Sequence, residues 1–210
     1  MMKFTKLAIG LFILSMATSV WAEEKTSPSA ADAAMQEMMK ISTPGEEHKV
    51  LEPLIGTWKN VFKGRMSPNE KIEESKGTSE HTWMYDGRYV KADFKGNWAG
   101  QPFEGIDFIG YDKMKGEYQL VSLNNMSTSL MQASGSYDKN SKTLKLGGMF
   151  SCPLTGEKEK WFRAEWKIIN KDKNIYTSYF KDKEGKEFKS AEINYSRIKE
   201  PGKLGRNTNE

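Results

Sequence analysis

The sequence is poor in the residues that most enzyme chemistry needs. Its 210 residues include one cysteine, Cys152, and two histidines, His48 and His81. A single cysteine excludes an intramolecular disulfide, so the fold must be held by its core alone. Cys152 precedes Pro153 in a turn-like stretch, with no histidine or acid beside it to lower its pKa. It reads as a thiol at a strand end. Two histidines are too few for a site built on two or three histidine ligands, and no metal site is expected. No G-x-S-x-G, Walker loop, H-E-x-x-H or Rossmann fingerprint occurs, so no catalytic residue is assigned. A large excess of charge is also missing. Thirty-two basic residues face 28 acidic ones, interspersed, for a net charge of +4. That balance suits an ordinary soluble surface and argues against nucleic acid as a partner.

The one long apolar run lies at the start. Lys3 and Lys6 precede an apolar stretch from Leu7 to about Val20, and Val20-Trp21-Ala22 resembles a cleavage site. This is the pattern of a secretory signal, too short for a spanning helix. Cleavage after Ala22 would leave a protein with a net charge of about +2, exported to the periplasm or secreted, with no stable membrane insertion.

The rest of the chain divides into three parts. Residues 23–43 form a polar linker and a Met-rich helix, Ala30 to Lys40, with Ser29 or Asp32 as its cap. Residues 44–199 form the folded domain, and residues 200–210 a loose polar tail. Within the domain, Pro44 to Ile55 suits a second, shorter helix capped by Thr43, with Pro53 limiting its length. From Gly56 the hydrophobic period changes to two. Ten strands are expected: 57–65, 77–85, 88–96, 103–111, 117–124, 128–137, 143–151, 160–169, 175–181 and 187–198. Asp86-Gly87 is the strongest hairpin signal among the connections. Hairpins join only antiparallel neighbours, and a long antiparallel series hides its edges by closing. The expected fold is all-β, an up-and-down barrel of about ten strands with short N-terminal helices.

Several stretches resemble a bacterial family known only as a domain of unknown function, family 1579. They are Pro44-Gly45-Glu46-Glu47-His48-Lys49 leading to Gly56-Thr57-Trp58, Asp86-Gly87-Arg88-Tyr89-Val90, Gly100-Gln101-Pro102-Phe103-Glu104-Gly105-Ile106 with Ile109-Gly110-Tyr111-Asp112, Gly135-Ser136-Tyr137-Asp138, and Ile193-Asn194-Tyr195-Ser196-Arg197. The family implies no activity. Gly56-x-Trp58 with a late-strand arginine is also similar to the calycin arrangement of lipocalins. That likeness implies that Trp58 closes one end of the barrel, that Arg197 packs on it, and that Gly56 turns the chain into its first strand.

Strand parity gives a candidate ligand-lining set: Asn60, Phe62, His81, Trp83, Val90, Phe94, Met131 and Tyr195. Such a lining suits a small apolar or amphipathic ligand, and equally a barrel filled by its own side chains. Two cofactors are weighed and not expected. His81 is of the type that ligates haem iron in some calycin-like proteins. Met35, Met38 and Met39 share the thioether spacing of Cu(I) sites, but stand without histidine or cysteine. Among acids, Glu80, Asp93, Glu104 and Asp107 are candidates for acid–base work that parity cannot pair. Three functions stay open: a binding module, an isomerase or hydrolase using the same cavity, and an envelope interaction protein whose barrel is filled.

Overall fold

Alternation of apolar and polar residues after Gly56 sends every second side chain to one side of a continuous sheet, and the sheet closes on itself. The computed structural model describes residues 29–98 and 100–199. The signal-like segment, most of the linker and the polar tail lie outside the described residues. Ten strands succeed one another: β1 Gly56–Gly64, β2 Glu73–Met84, β3 Tyr89–Trp98, β4 Gln101–Asp112, β5 Glu117–Asn124, β6 Met131–Asp138, β7 Thr143–Phe150, β8 Lys160–Asn170, β9 Lys173–Lys181 and β10 Glu187–Arg197. Each pairs antiparallel with its sequence neighbours, and β1 pairs with β10 from Trp58↔Arg197 to Gly64↔Ala191. No edge is left unpaired, which removes the usual route to edge-to-edge association.

The strand limits differ from those expected where loops pair farther than side-chain alternation shows. β2 begins at Glu73, four residues early, because Glu73 and Glu74 continue the ladder opposite Gly64 and Lys63. β6 begins only at Met131. Thr128 stays in a loop in which the Ser127 and Ser129 hydroxyls bond each other at 2.8 Å. The β2–β3 hairpin turns through four residues, with positive φ at Tyr85, Asp86 and Gly87.

The N-terminal elements cap one end. α1 spans Ala30–Ser42 and starts with a reciprocal capping box between Ser29 and Asp32. Its methionines are exposed among the described residues: Met35, Met38 and Met39 are 51%, 57% and 59% exposed. The expected second helix is broken. α2 covers only Glu46–Lys49, and a 3₁₀ turn covers Glu52–Leu54. A continuous helix would need the N–H that Pro53 lacks, and would drive its ring into the carbonyl of residue 49. Thr43 caps the end of α1 instead of the start of α2: its hydroxyl donates to the Met39 carbonyl at 2.7 Å. Gly45 is the N-cap of α2, and its N–H donates to His48 Nδ1 at 3.1 Å. Tyr118 Oη donates to the Glu47 carbonyl at 2.8 Å, and Trp83 Nε1 to Glu52 at 2.9 Å, so the cap is bonded to the wall beneath it.

The core lies under this cap. Leu51, Leu54, Trp58, Val90, Ile109 and Leu144 are fully buried, joined by Leu120, Phe162, Trp166 and Tyr195. No helix among the described residues is long and apolar enough to cross a membrane.

Candidate functional site

The capped end is sealed by Trp58. Its Nε1 donates to the Leu54 carbonyl at 2.9 Å, and its ring is fully buried. Arg197, opposite it in the ladder, lays its guanidinium 4.1 Å from the ring centroid. The same guanidinium donates to the carbonyls of Pro53 at 2.9 Å and of Ile55. Gly56 has φ +125°, and a Cβ there would meet Arg197 Nη1 at 2.1 Å. Positive φ and the absence of a side chain are both required at this point.

Above this seal sits an aromatic plug. The His81 ring lies 5.7–6.2 Å, centroid to centroid, from Trp58, Phe94, Trp166 and Tyr195. His81 Nε2 shares a 2.9 Å hydrogen bond with the Ser79 hydroxyl, while Nδ1 has no well-formed partner among the described residues. Burial pushes its pKa down to about 4, with the nearby Leu54 carbonyl offsetting this slightly. The ring is therefore neutral at physiological pH.

The other end of the barrel is hollow. A cavity of about 410 Å³ runs inward from the loops that precede β2, β6 and β8. Phe62, Phe94, Trp98, Phe103, Met131, Phe150, Phe180 and Ile193 supply most of its wall. Asn60, Ser122, Asn124, Ser178 and Ser190 add a sparse polar set, and Met126 and Leu154 stand at the mouth. Several of the polar groups are already spoken for: Ser178 and Ser190 hydroxyls bond each other at 2.9 Å, and Asn60 accepts from Ser79 at 3.4 Å. A second concavity of about 430 Å³ lies outside the wall, between the end of α1 and β3–β5. It is lined by charged groups such as Arg88, Asp112 and Lys113 together with apolar ones such as Ile41, Phe108 and Val121.

The structure divides the sequence-derived lining set. Asn60, Phe62, Phe94 and Met131 do line the cavity. Val90, His81 and Tyr195 do not: they point inward, but lie deeper, in the packed plug. Trp83 also misses the cavity, because it sits at the capped end against Glu52. In a barrel closed at one end, facing inward does not mean facing the cavity. Trp98, outside that set, meets Phe62 edge-on at 4.6 Å on the cavity wall.

Of the four acids, Glu80 and Glu104 are exposed, and Asp93 pairs on the outside with Lys91 at 2.9 Å. Asp107 alone turns inward. Burial pushes its pKa up to about 6, and Ser122 partly offsets the shift. Sequence reasoning named Asp107 but did not separate it from the others. The signal was its shared parity with Phe103 and Ile109. Asn125 is a turn former: its side chain accepts from Glu104 N–H and donates to the Pro102 carbonyl, both at 3.0 Å.

Among the described residues, no group of three or more His, Cys, Asp or Glu side chains is arranged to hold a metal ion. His81 does not line the cavity, and its ring meets those of Phe94 and Tyr195 edge-on. Cys152 is buried at the cavity rim.

Residues 43–197 match the family model described as a protein of unknown function, DUF1579. The chain belongs to this family. The DUF1579 barrel is similar to the crystal structure of Rv2717c from M. tuberculosis, with a TM-score of 0.57 and 15% identity over 75% of this chain and 100% of that one. At that identity the likeness is one of fold. A redesigned β-barrel aligns over the same shares with 9% identity and a TM-score of 0.37. No curated protein matches the DUF1579 sequence.

Proposed function

We propose that this DUF1579 protein is a binding module that holds a small apolar or amphipathic molecule in the open end of its barrel. One observation carries the reading: a cavity of about 410 Å³ with a mainly aromatic and aliphatic wall, beside a plug that is fully packed. Pockets of this size and lining are typical of small-molecule sites. Each methylene moved from water into such a wall gains about 0.8 kcal/mol, so a medium-length alkyl chain suffices for micromolar affinity. Export by way of residues 1–22 belongs to the same reading, and would place the barrel where such molecules must be carried through water. N-terminal sequencing of the protein recovered from its host should then begin at Glu23.

The cavity is tested by filling it. The neutral apolar fluorophore N-phenylnaphthylamine should bind the wild-type protein saturably, and Met131→Trp should weaken it by about tenfold or more. Unchanged binding to M131W would place the probe elsewhere and remove the support for this reading.

A further inference from the structure

Just beneath the cavity wall, one acid and two tyrosines stand one step inward from lining residues. The inward residues of β4 run from the mouth as Phe103, Gly105, Asp107 and Ile109. Phe103 is on the cavity wall, and Ile109 is in the packed core. Asp107 is therefore the group at the transition between the two. Its partner in the β4–β5 ladder is Ser122, which does line the cavity. On β9 and β10, the residues one step inward from the wall positions Ser178 and Ile193 are Tyr176 and Tyr195. Burial pushes the titration of both phenols up, and the Asp107 charge adds to the shift. Asp107 keeps part of its surface accessible, and it stands one step below the residues that line the cavity. Among the described residues, no cation contributes to keeping it ionised.

We propose that Asp107 is a recognition group, and that the barrel's ligand is an amphipathic amine that enters with its ammonium first. The proposal rests on the ligand-binding reading and sharpens it to a chemical class. An ionised carboxylate enclosed without a cation is costly, and an entering ammonium removes that cost while its alkyl tail covers the apolar wall. The stereochemical match is direct. An ammonium carries three donors and no acceptor, and the Asp107 carboxylate and the hydroxyl of Ser122, its ladder partner, both supply acceptors. An alcohol offers one donor and no charge. A carboxylate ligand brings a like charge to Asp107 and is repelled.

The test displaces N-phenylnaphthylamine from the protein with decylamine, decanol and decanoate, which share one chain length. Decylamine should bind at least about tenfold more tightly than decanol, the scale of a charge-assisted hydrogen bond, and decanoate more weakly than both. In Asp107→Asn, decylamine should fall to within about twofold of decanol, with decanol itself unchanged. Equal affinity of decylamine and decanol for the wild-type protein, or undiminished decylamine binding to D107N, overturns the assignment. If the fluorophore binds and the three ligands compete without this ranking, only the amine proposal fails. If neither the fluorophore nor any of the three binds, the ligand-binding reading fails with it.

Discussion

Arg197 covers the Trp58 ring at 4.1 Å and donates to the carbonyls of Pro53 and Ile55, so one guanidinium joins the last strand, the first strand and the cap. Arg197→Ala removes the cation–π contact, worth about 0.5–2 kcal/mol, and leaves two half-buried carbonyls without their donors. A loss of about 2–4 kcal/mol is expected, read as a lower urea midpoint with an unchanged slope. Arg197→Lys should recover only part of this, because an ammonium cannot lie flat on the indole while reaching both carbonyls.

Gly56→Ala tests the same joint from the other side. The added methyl must sit where Arg197 Nη1 is, at a φ of +125° that L residues rarely adopt. The cost should be about 1–3 kcal/mol. Gly87→Ala serves as the reference. It also carries positive φ but has nothing within 4 Å of its Cβ position, so it should cost less.

His81 makes the protein acid-sensitive. Its folded pKa is about 4 against an ordinary 6.5, so the unfolded chain takes up the proton first as pH falls. Stability from this group is complete above pH 6.5 and is lost progressively between 6.5 and 4, by up to about 3 kcal/mol. His81→Phe should flatten that limb of the stability profile, whatever its effect on stability at neutral pH.

Asp107 acts with the opposite sign. Its folded pKa is raised to about 6 from 3.8, so the folded state holds the proton longer, and stability falls as pH rises from 3.8 to 6. Asp107→Asn should therefore stabilise the ligand-free protein at pH 7 to 8, by up to about 3 kcal/mol, and change little at pH 4. Thermal unfolding at the two pH values separates these outcomes.

The α1 methionines should be silent in stability. None of Met35, Met38 and Met39 is buried, so replacing all three with Gln, another good helix former, should move the unfolding midpoint by no more than about a degree or two.

Much of the fold was legible because period-two alternation and turn residues are local signals. β5 was placed residue for residue, and the packing of Arg197 on Trp58 was implied by the likeness of Gly56-x-Trp58 and a late-strand arginine to the calycin arrangement. Depth along the barrel axis was not legible. Parity says that Phe94, Val90 and Tyr195 all face inward, but only the packing of Leu51, Leu54 and Trp58 at one end decides that Phe94 meets the cavity while Val90 and Tyr195 belong to the plug. Asp107 was hidden for the same reason. Parity turns it inward but does not give its depth, which decides its burial. The broken helix before Gly56 was legible in Pro53 and was extended too far by the apolar face of Val50, Leu51, Leu54 and Ile55, which serves the cap equally well as a 3₁₀ turn.

The cavity as a ligand site is tested most directly by a paired titration of wild-type protein and M131W with N-phenylnaphthylamine. The expected result is a blue-shifted, saturable rise in emission with one site per chain in the wild type, and its loss in a variant that remains folded. An unsaturable rise, or identical curves for the two proteins, would contradict a binding role for the barrel.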